Sequence, residues 1–332
     1  MTIPSLQKRT TPAALLLVSA LLLSGCAPAT IVAPEPLPAS ISVGEGGPED
    51  LTVSGTSAYV SNIADGSVLK LDLLKAGASS VFIPPASDAY SSAWGLRVMP
   101  SQNWLLSLQN QPYDFNPANA KAGRLSAYDL TSGAKVKSWE LPAGMVGNSV
   151  EVDKAGNIYV GDIGPTPRIV RIDPASGAVT IWATSPEWVA GGFGIGGMAY
   201  SGAGLYASHN NALWYIAIQP DGSAAAPQAV KVDGDPVIFA DGMTWTGSNL
   251  IYAENDVLVP GPQGVVYQVA FSTPTAATRT ALQTGLSDPS GVALAQIGDQ
   301  HYLLVNESQL GFAFGVDKGE ASKPYQVKVF SR

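Results

Sequence analysis

The chain of 332 residues has one cysteine, two histidines and few charges: Asp, Glu, Lys and Arg together make up 13% of it. The lone cysteine, Cys26, excludes an intramolecular disulfide. Lys and Arg number 18 against 26 Asp and Glu, and the basic residues are scattered. That balance argues against a nucleic acid partner and against an electrostatic hold on anionic lipid. No Ser sits in a Gly-x-Ser-x-Gly elbow, so nucleophilic catalysis of the usual kinds lacks a candidate. The Gly-rich run 191–197 leads into a strand pattern, so it presents no helix N-terminus to a phosphate. Long amphipathic helical periods are absent too.

An apolar run, 13–23, follows Lys8 and Arg9 and ends in Leu23-Ser24-Gly25-Cys26. A basic start, a short apolar stretch and small residues before a cut describe a secretory leader over residues 1–25, too short to span a bilayer comfortably. Leu-Ser-Gly-Cys resembles the lipobox of bacterial lipoproteins. That resemblance implies acylation of Cys26 and an extracytoplasmic protein held to the cell membrane, or to the outer membrane of a two-membrane host, through its N-terminal lipid. Loss of Lys8 and Arg9 with the leader moves the formal charge from −8 to −10. Residues 26–40, with Pro28, Pro34, Pro36 and Pro38, read as an extended tether. The folded domain is expected over 41–332.

What the domain does contain is alternation. Ser57-Ala58-Tyr59-Val60-Ser61 and Asn157-Ile158-Tyr159-Val160-Gly161 have the period of two that marks strands. The segment ADGMTWTGSNLIYAEN, 240–255, reads as strand, tight turn and strand, and five other segments share its plan: 48–62, 93–110, 147–162, 195–210 and 289–308. The residues heading the first strands are Glu49, Trp94, Asn148, Gly196, Asp241 and Ser290, spaced by 45, 54, 48, 45 and 49. A period of that size means a repeat architecture. Third strands are expected at 67–73, 124–130, 169–173, 213–218, 265–271 and 312–316, and fourth strands at 80–84, 136–141, 179–183, 229–232 and 325–330. The fold class is all-β: a six-bladed β-propeller of four-stranded antiparallel blades. Whether 39–43 closes the ring stays open.

An antiparallel meander places the heading residues, the loops after second strands and the loops between blades at one end of the channel. The turns at the opposite end are tight. Long loops at the heading end, 111–123 with Tyr113, 185–195 with Trp188 and Phe193, and 256–264, mark it as the recognition face. Glu49, Asn148 and Asp241 are oxygen donors facing one axis. Two carboxylates there repel one another unless a cation lies between them, which suits a hard divalent ion such as Ca²⁺; small polar residues also cap strand starts in any propeller. A second column, Asn62, Asn110, Asp162, Asn210, Asn255 and Asn306, ends the second strands, where Asn and Asp satisfy turn backbone. His209 adjoins that column and could reach the rim, whereas His301 falls at the opposite face.

Pro48-Glu49-Asp50, the run 148–153 followed by Gly156, and Ala240-Asp241-Gly242-Met243 resemble three motifs of the SMP-30/gluconolactonase family of six-bladed propellers. The resemblance implies one divalent metal held by Glu49, Asn148 and Asp241, with Asp241 also in the hydrolytic chemistry of lactones. Two positions depart from the pattern: Gly196 stands where the family has an Asn ligand, and Val146 where it has a substrate-contacting Arg. Related paraoxonase-like lactonases use a His base, which makes His209 a candidate; Tyr113, Trp188 and Asn255 complete the candidate substrate contacts. Two functions follow from different classes: a metal-dependent lactone hydrolase, or a non-catalytic propeller that binds a small molecule or an envelope protein through its rim.

Overall fold

The computed structural model describes residues 36–112, 116–190, 193–234, 236–255 and 257–332. The leader, Cys26 and Tyr113 lie outside them. Six antiparallel sheets form a ring, and each innermost strand packs on the next until that of the sixth blade meets that of the first. The innermost strands are Pro48–Ser54, Ser92–Met99, Gly147–Val152, Ile195–Tyr200, Ala240–Trp245 and Pro289–Ile297.

Six clusters of buried side chains each fill one interface between neighbouring blades. The alternation read from the sequence produces this layout. A blade buries both faces against its neighbours, so residues on either side of the pleat contribute. Tyr59 faces the second blade while Val60 faces the sixth. Similarly, Tyr159 faces the fourth blade and Val160 the second.

The ring closes through Ser40–Ser42, which pairs with Gln326–Ser331 as the outermost strand of the sixth blade. Ile41 and Leu37 are buried in the same interface, and the Leu37 amide donates to the Tyr302 hydroxyl at 3.3 Å. Packed chain therefore begins ahead of Ile41, inside the stretch that reads as tether, because an apolar residue on each side of Pro38 faces the core.

Two strand expectations are corrected. Residues 312–316 are not the third strand of the last blade: a short helix, Leu310–Ala313, lies there, and Gln326–Ser331 is third instead of fourth. A five-residue apolar run does not by itself separate strand from helix, and here Gly315 at φ +72° turns the chain away. Residues 229–232 do not form one strand either. Gln228–Ala229 ends the fourth blade, and Lys231–Asp233 crosses to lie parallel on the outer strand of the fifth, Ala276–Leu286. Among the described residues no helix is long and apolar enough to cross a membrane.

Candidate metal and ligand site at the channel mouth

Every innermost strand carries a β-bulge at its heading residue: pairing skips between Pro48 and Leu51, Ala93 and Leu96, Gly147 and Val150, Ile195 and Met198, Ala240 and Met243, and Pro289 and Gly291. A bulge unpairs the extra residue and re-aims its side chain. Glu49, Trp94, Asn148, Gly196 and Asp241 consequently line one cavity of about 370 Å³ at the end of the channel. Close blade approach makes this possible. A Cβ on Gly197 would sit 1.9 Å from the carbonyl oxygen of Asp241. At Gly196 it would meet Ser208 Oγ at 2.7 Å and the Ala240 carbonyl at 3.0 Å, so an Asn there, as the resemblance implies, would require Ser208 and the neighbouring strand to shift.

The cavity floor is acidic and amide-lined. Asp241 accepts from two carboxamides, Asn148 Nδ2 at 3.3 Å and Asn255 Nδ2 at 3.0 Å. Glu49 is 6% exposed, and its Oε2 has no hydrogen-bond partner; Asn255, equally buried, has an unpartnered Oδ1. The orientation of that amide follows from chemistry, since turning it would bring its oxygen against the Asp241 carboxylate. Burial holds the Glu49 carboxyl well above the usual carboxylate range, and the charges of Asp241 and Asp50 add to the shift. Asp241 is pushed up to about 7, by burial first and by Asp50, against the two amides. Among the described residues no Lys, Arg or His lines the cavity.

Asp50 belongs to a layer below. Its carboxylate accepts from the Leu96 amide at 2.8 Å and from its neighbour Leu51 at 2.7 Å, tying the first blade to the bulge of the second. Burial raises it to about 6 despite those bonds. Arg97 pairs with buried Glu151 beside it, around a void of about 20 Å³, close to the room one water needs.

The column at the second-strand ends divides by role. Asn110 exchanges hydrogen bonds with the backbone of Gly147, Asp162 accepts from Val146 and Gly164, and Asn306 accepts from Gly291. These secure the start of an innermost strand. Asn255 is different because it turns to Asp241.

Two candidate contacts do not reach the cavity. His209 is buried: Nδ1 donates to the Gly194 carbonyl at 3.1 Å, while Nε2 accepts from the Val189 amide at 3.0 Å. Burial lowers its pKa, so it stays neutral and ties Val189 to Gly194. Trp188 packs edge-on against Trp214, with ring centroids 6.2 Å apart, in the interface of blades three and four. Conversely, the walls include apolar groups that periodicity does not reveal: Phe239, Val257, Leu310 and Phe314, together with Phe193 of the rim loop.

The donor set at the floor is two carboxylates and two carboxamides, all oxygen, and the unpartnered Glu49 Oε2 and Asn255 Oδ1 fit a hard cation. Among the described residues no three or more His, Cys, Asp or Glu side chains group as metal ligands, so amide oxygens would be needed to complete a site.

No family model and no curated relative matches the chain. Solved structures do. The major allergen Mala s 1 of Malassezia sympodialis superposes with a TM-score of 0.69 at 18% identity, over 89% of this chain and 96% of that one. Virginiamycin B lyase from Staphylococcus aureus gives 0.54 at 16% identity over 80% and 84%. Regucalcin from Agrobacterium tumefaciens, described as a calcium-binding protein, gives 0.53 at 14% identity over 87% and 93%. At these identities the common property is the fold: the chain is a six-bladed β-propeller.

Proposed function

We propose that the channel mouth binds a divalent cation, calcium first among them, and that the protein is a cation-dependent hydrolase of ring esters. The observation that carries this reading is the Glu49 and Asp241 pair at one cavity, the first carboxylate buried with its Oε2 unpartnered and the second half-buried, with no Lys, Arg or His among the described residues that line that cavity. Uncompensated buried charge is strongly unfavourable, so a site of this kind is built for a positive guest. Glu49, Asn148 and Asp241 would hold the ion, and Asn255 Oδ1 would take the place left by Gly196. The bound ion would polarise the ester carbonyl as a Lewis acid.

The chain's own residues do the rest. Asn148 and Asn255 orient the Asp241 carboxylate, which accepts the proton of the attacking water. Water oxygen bonds to the carbonyl carbon, the ring C–O bond breaks and the leaving ring oxygen takes the proton that Asp241 accepted, so the product is a hydroxy acid. A second reading, ligand capture without turnover, is supported by Val146, which is 1% exposed in the core where the resemblance implies a substrate-contacting Arg. Both readings place the protein outside the cytoplasm on a Cys26 lipid anchor, a part of the proposal that rests on the leader pattern alone.

Hydrolysis of a lactone panel, followed by pH-stat with calcium and again with chelator, separates the two. Cation-dependent turnover that falls about 100-fold or more in Asp241→Asn is the expected result. Binding with no turnover in the wild type selects capture.

A further inference from the structure

We infer that the site takes ligands with an apolar body and a single polar end, such as alkyl-substituted ring esters, in preference to polyhydroxylated ones. This deepens the function proposed above and rests on it for the nature of the polar end. The cavity's polar atoms are already largely engaged within the protein. Ser92 Oγ accepts from Trp94 Nε1 at 2.6 Å. Ser208 Oγ donates to the Ala240 carbonyl at 2.5 Å and accepts from the Gly197 amide at 2.9 Å. Asn210 Nδ2 is within 3.0 Å of His209 Nε2. Ser208 has thereby spent its one donor, while Ser92 keeps its O–H and Asn210 its Oδ1, so these side chains can meet few of a polyhydroxylated ligand's hydroxyls, and a hydroxyl buried without a partner is penalised. Among the described residues, the fully buried lining oxygens without a partner, Glu49 Oε2 and Asn255 Oδ1, are both at the floor.

Above the floor the walls are Trp94, Phe193, Phe239, Val257, Leu310 and Phe314. Phe239 directly precedes the Ala240-Asp241 bulge and is held at φ +41°, a region bulky residues rarely occupy. Its ring meets Phe193 edge-on, with centroids 5.2 Å apart. Backbone strain at a ligand clamp persists when the surroundings enforce it, and here it sets an aromatic face beside the carboxylates. A volume of about 370 Å³ lies within the range of small-molecule sites, which are mostly apolar with a few placed polar groups. With no Lys, Arg or His among the described lining residues, wall height offers an anionic body no partner.

The test is a binding series by calorimetry on the wild-type protein: δ-hexalactone, δ-octalactone and δ-decalactone against glucono-δ-lactone, with chelator and with calcium. Affinity is expected to rise about fourfold for each methylene added, with glucono-δ-lactone weakest. Leu310→Ser combined with Phe314→Ser should flatten the series while calcium binding, read in the same samples, shows the variant to be folded. A flat wild-type series, or tighter binding of the sugar lactone, overturns the inference. If the alkyl series holds in chelator but calcium neither binds nor produces turnover, the ligand class stands and the hydrolase reading falls.

Discussion

Glu49→Gln is expected to stabilise the cation-free protein by roughly 1–3 kcal/mol at pH 8 and to weaken calcium binding by about 100-fold or more. Most substitutions of a buried residue destabilise; the reversal here follows from what surrounds this one. Glu49 is 6% exposed, its Oε2 has no partner, and Asp241 and Asp50 repel its charge. A neutral amide of the same shape removes that repulsion and the cost of desolvating the charge, and with them the donor a cation needs. Urea denaturation in chelator, alongside calcium titration of the same variant, measures both halves. A variant less stable than wild type in chelator would mean that Glu49 serves the fold and not a guest.

Without a cation, stability should decline as pH rises from about 4 to about 7. The sign follows from linkage. Asp241 titrates near 7 when folded, against an ordinary 3.8, so within that window the folded state holds a proton that the unfolded state has released. Each such proton tilts stability downward by about 1.4 kcal/mol per pH unit. Asp50, raised to about 6, and Glu49, held well above its ordinary range, act in the same direction. His209 opposes them below its ordinary 6.5, because folding keeps it neutral and acid then favours unfolding. Thermal midpoints measured from pH 5 to 8 should therefore fall in chelator and level off in millimolar calcium, which replaces the protons. Asp241→Asn should flatten the chelator profile. A midpoint that rises with pH in chelator would contradict this assignment of the carboxylates.

The blade count, the channel end and the trio Glu49, Asn148 and Asp241 were legible in the sequence because repeats put equivalent residues at equivalent positions. Registering six segments against one another amounts to superposing six blades. The bulges that turn the heading residues inward leave a trace as well: the residue after the heading is Gly at 95, 197, 242 and 291, where neighbouring backbones come too close for a Cβ. What the repeat does not contain could not be read from it. Ser40–Ser42 is three residues long and pairs with a strand nearly 290 positions away, so its role in closure has no local signal. Apart from Trp94, the cavity walls come from loops and from the Leu310–Ala313 helix and its end, which follow no period. His209 became a candidate base only through the resemblance to lactonases that use one, beside the plainer reading of a structural residue at a strand end; its partners are the backbone of Val189 and Gly194, atoms that every sequence has and none advertises.

The proposed hydrolysis depends on a cation site at the channel mouth, and calcium titration of the wild-type protein by calorimetry is the experiment that decides it. The expected outcome is saturable binding at a single site per chain that is lost in Asp241→Asn. A folded wild-type protein that binds neither calcium nor magnesium or manganese would contradict the claim and leave the carboxylates at the floor without the guest proposed for them.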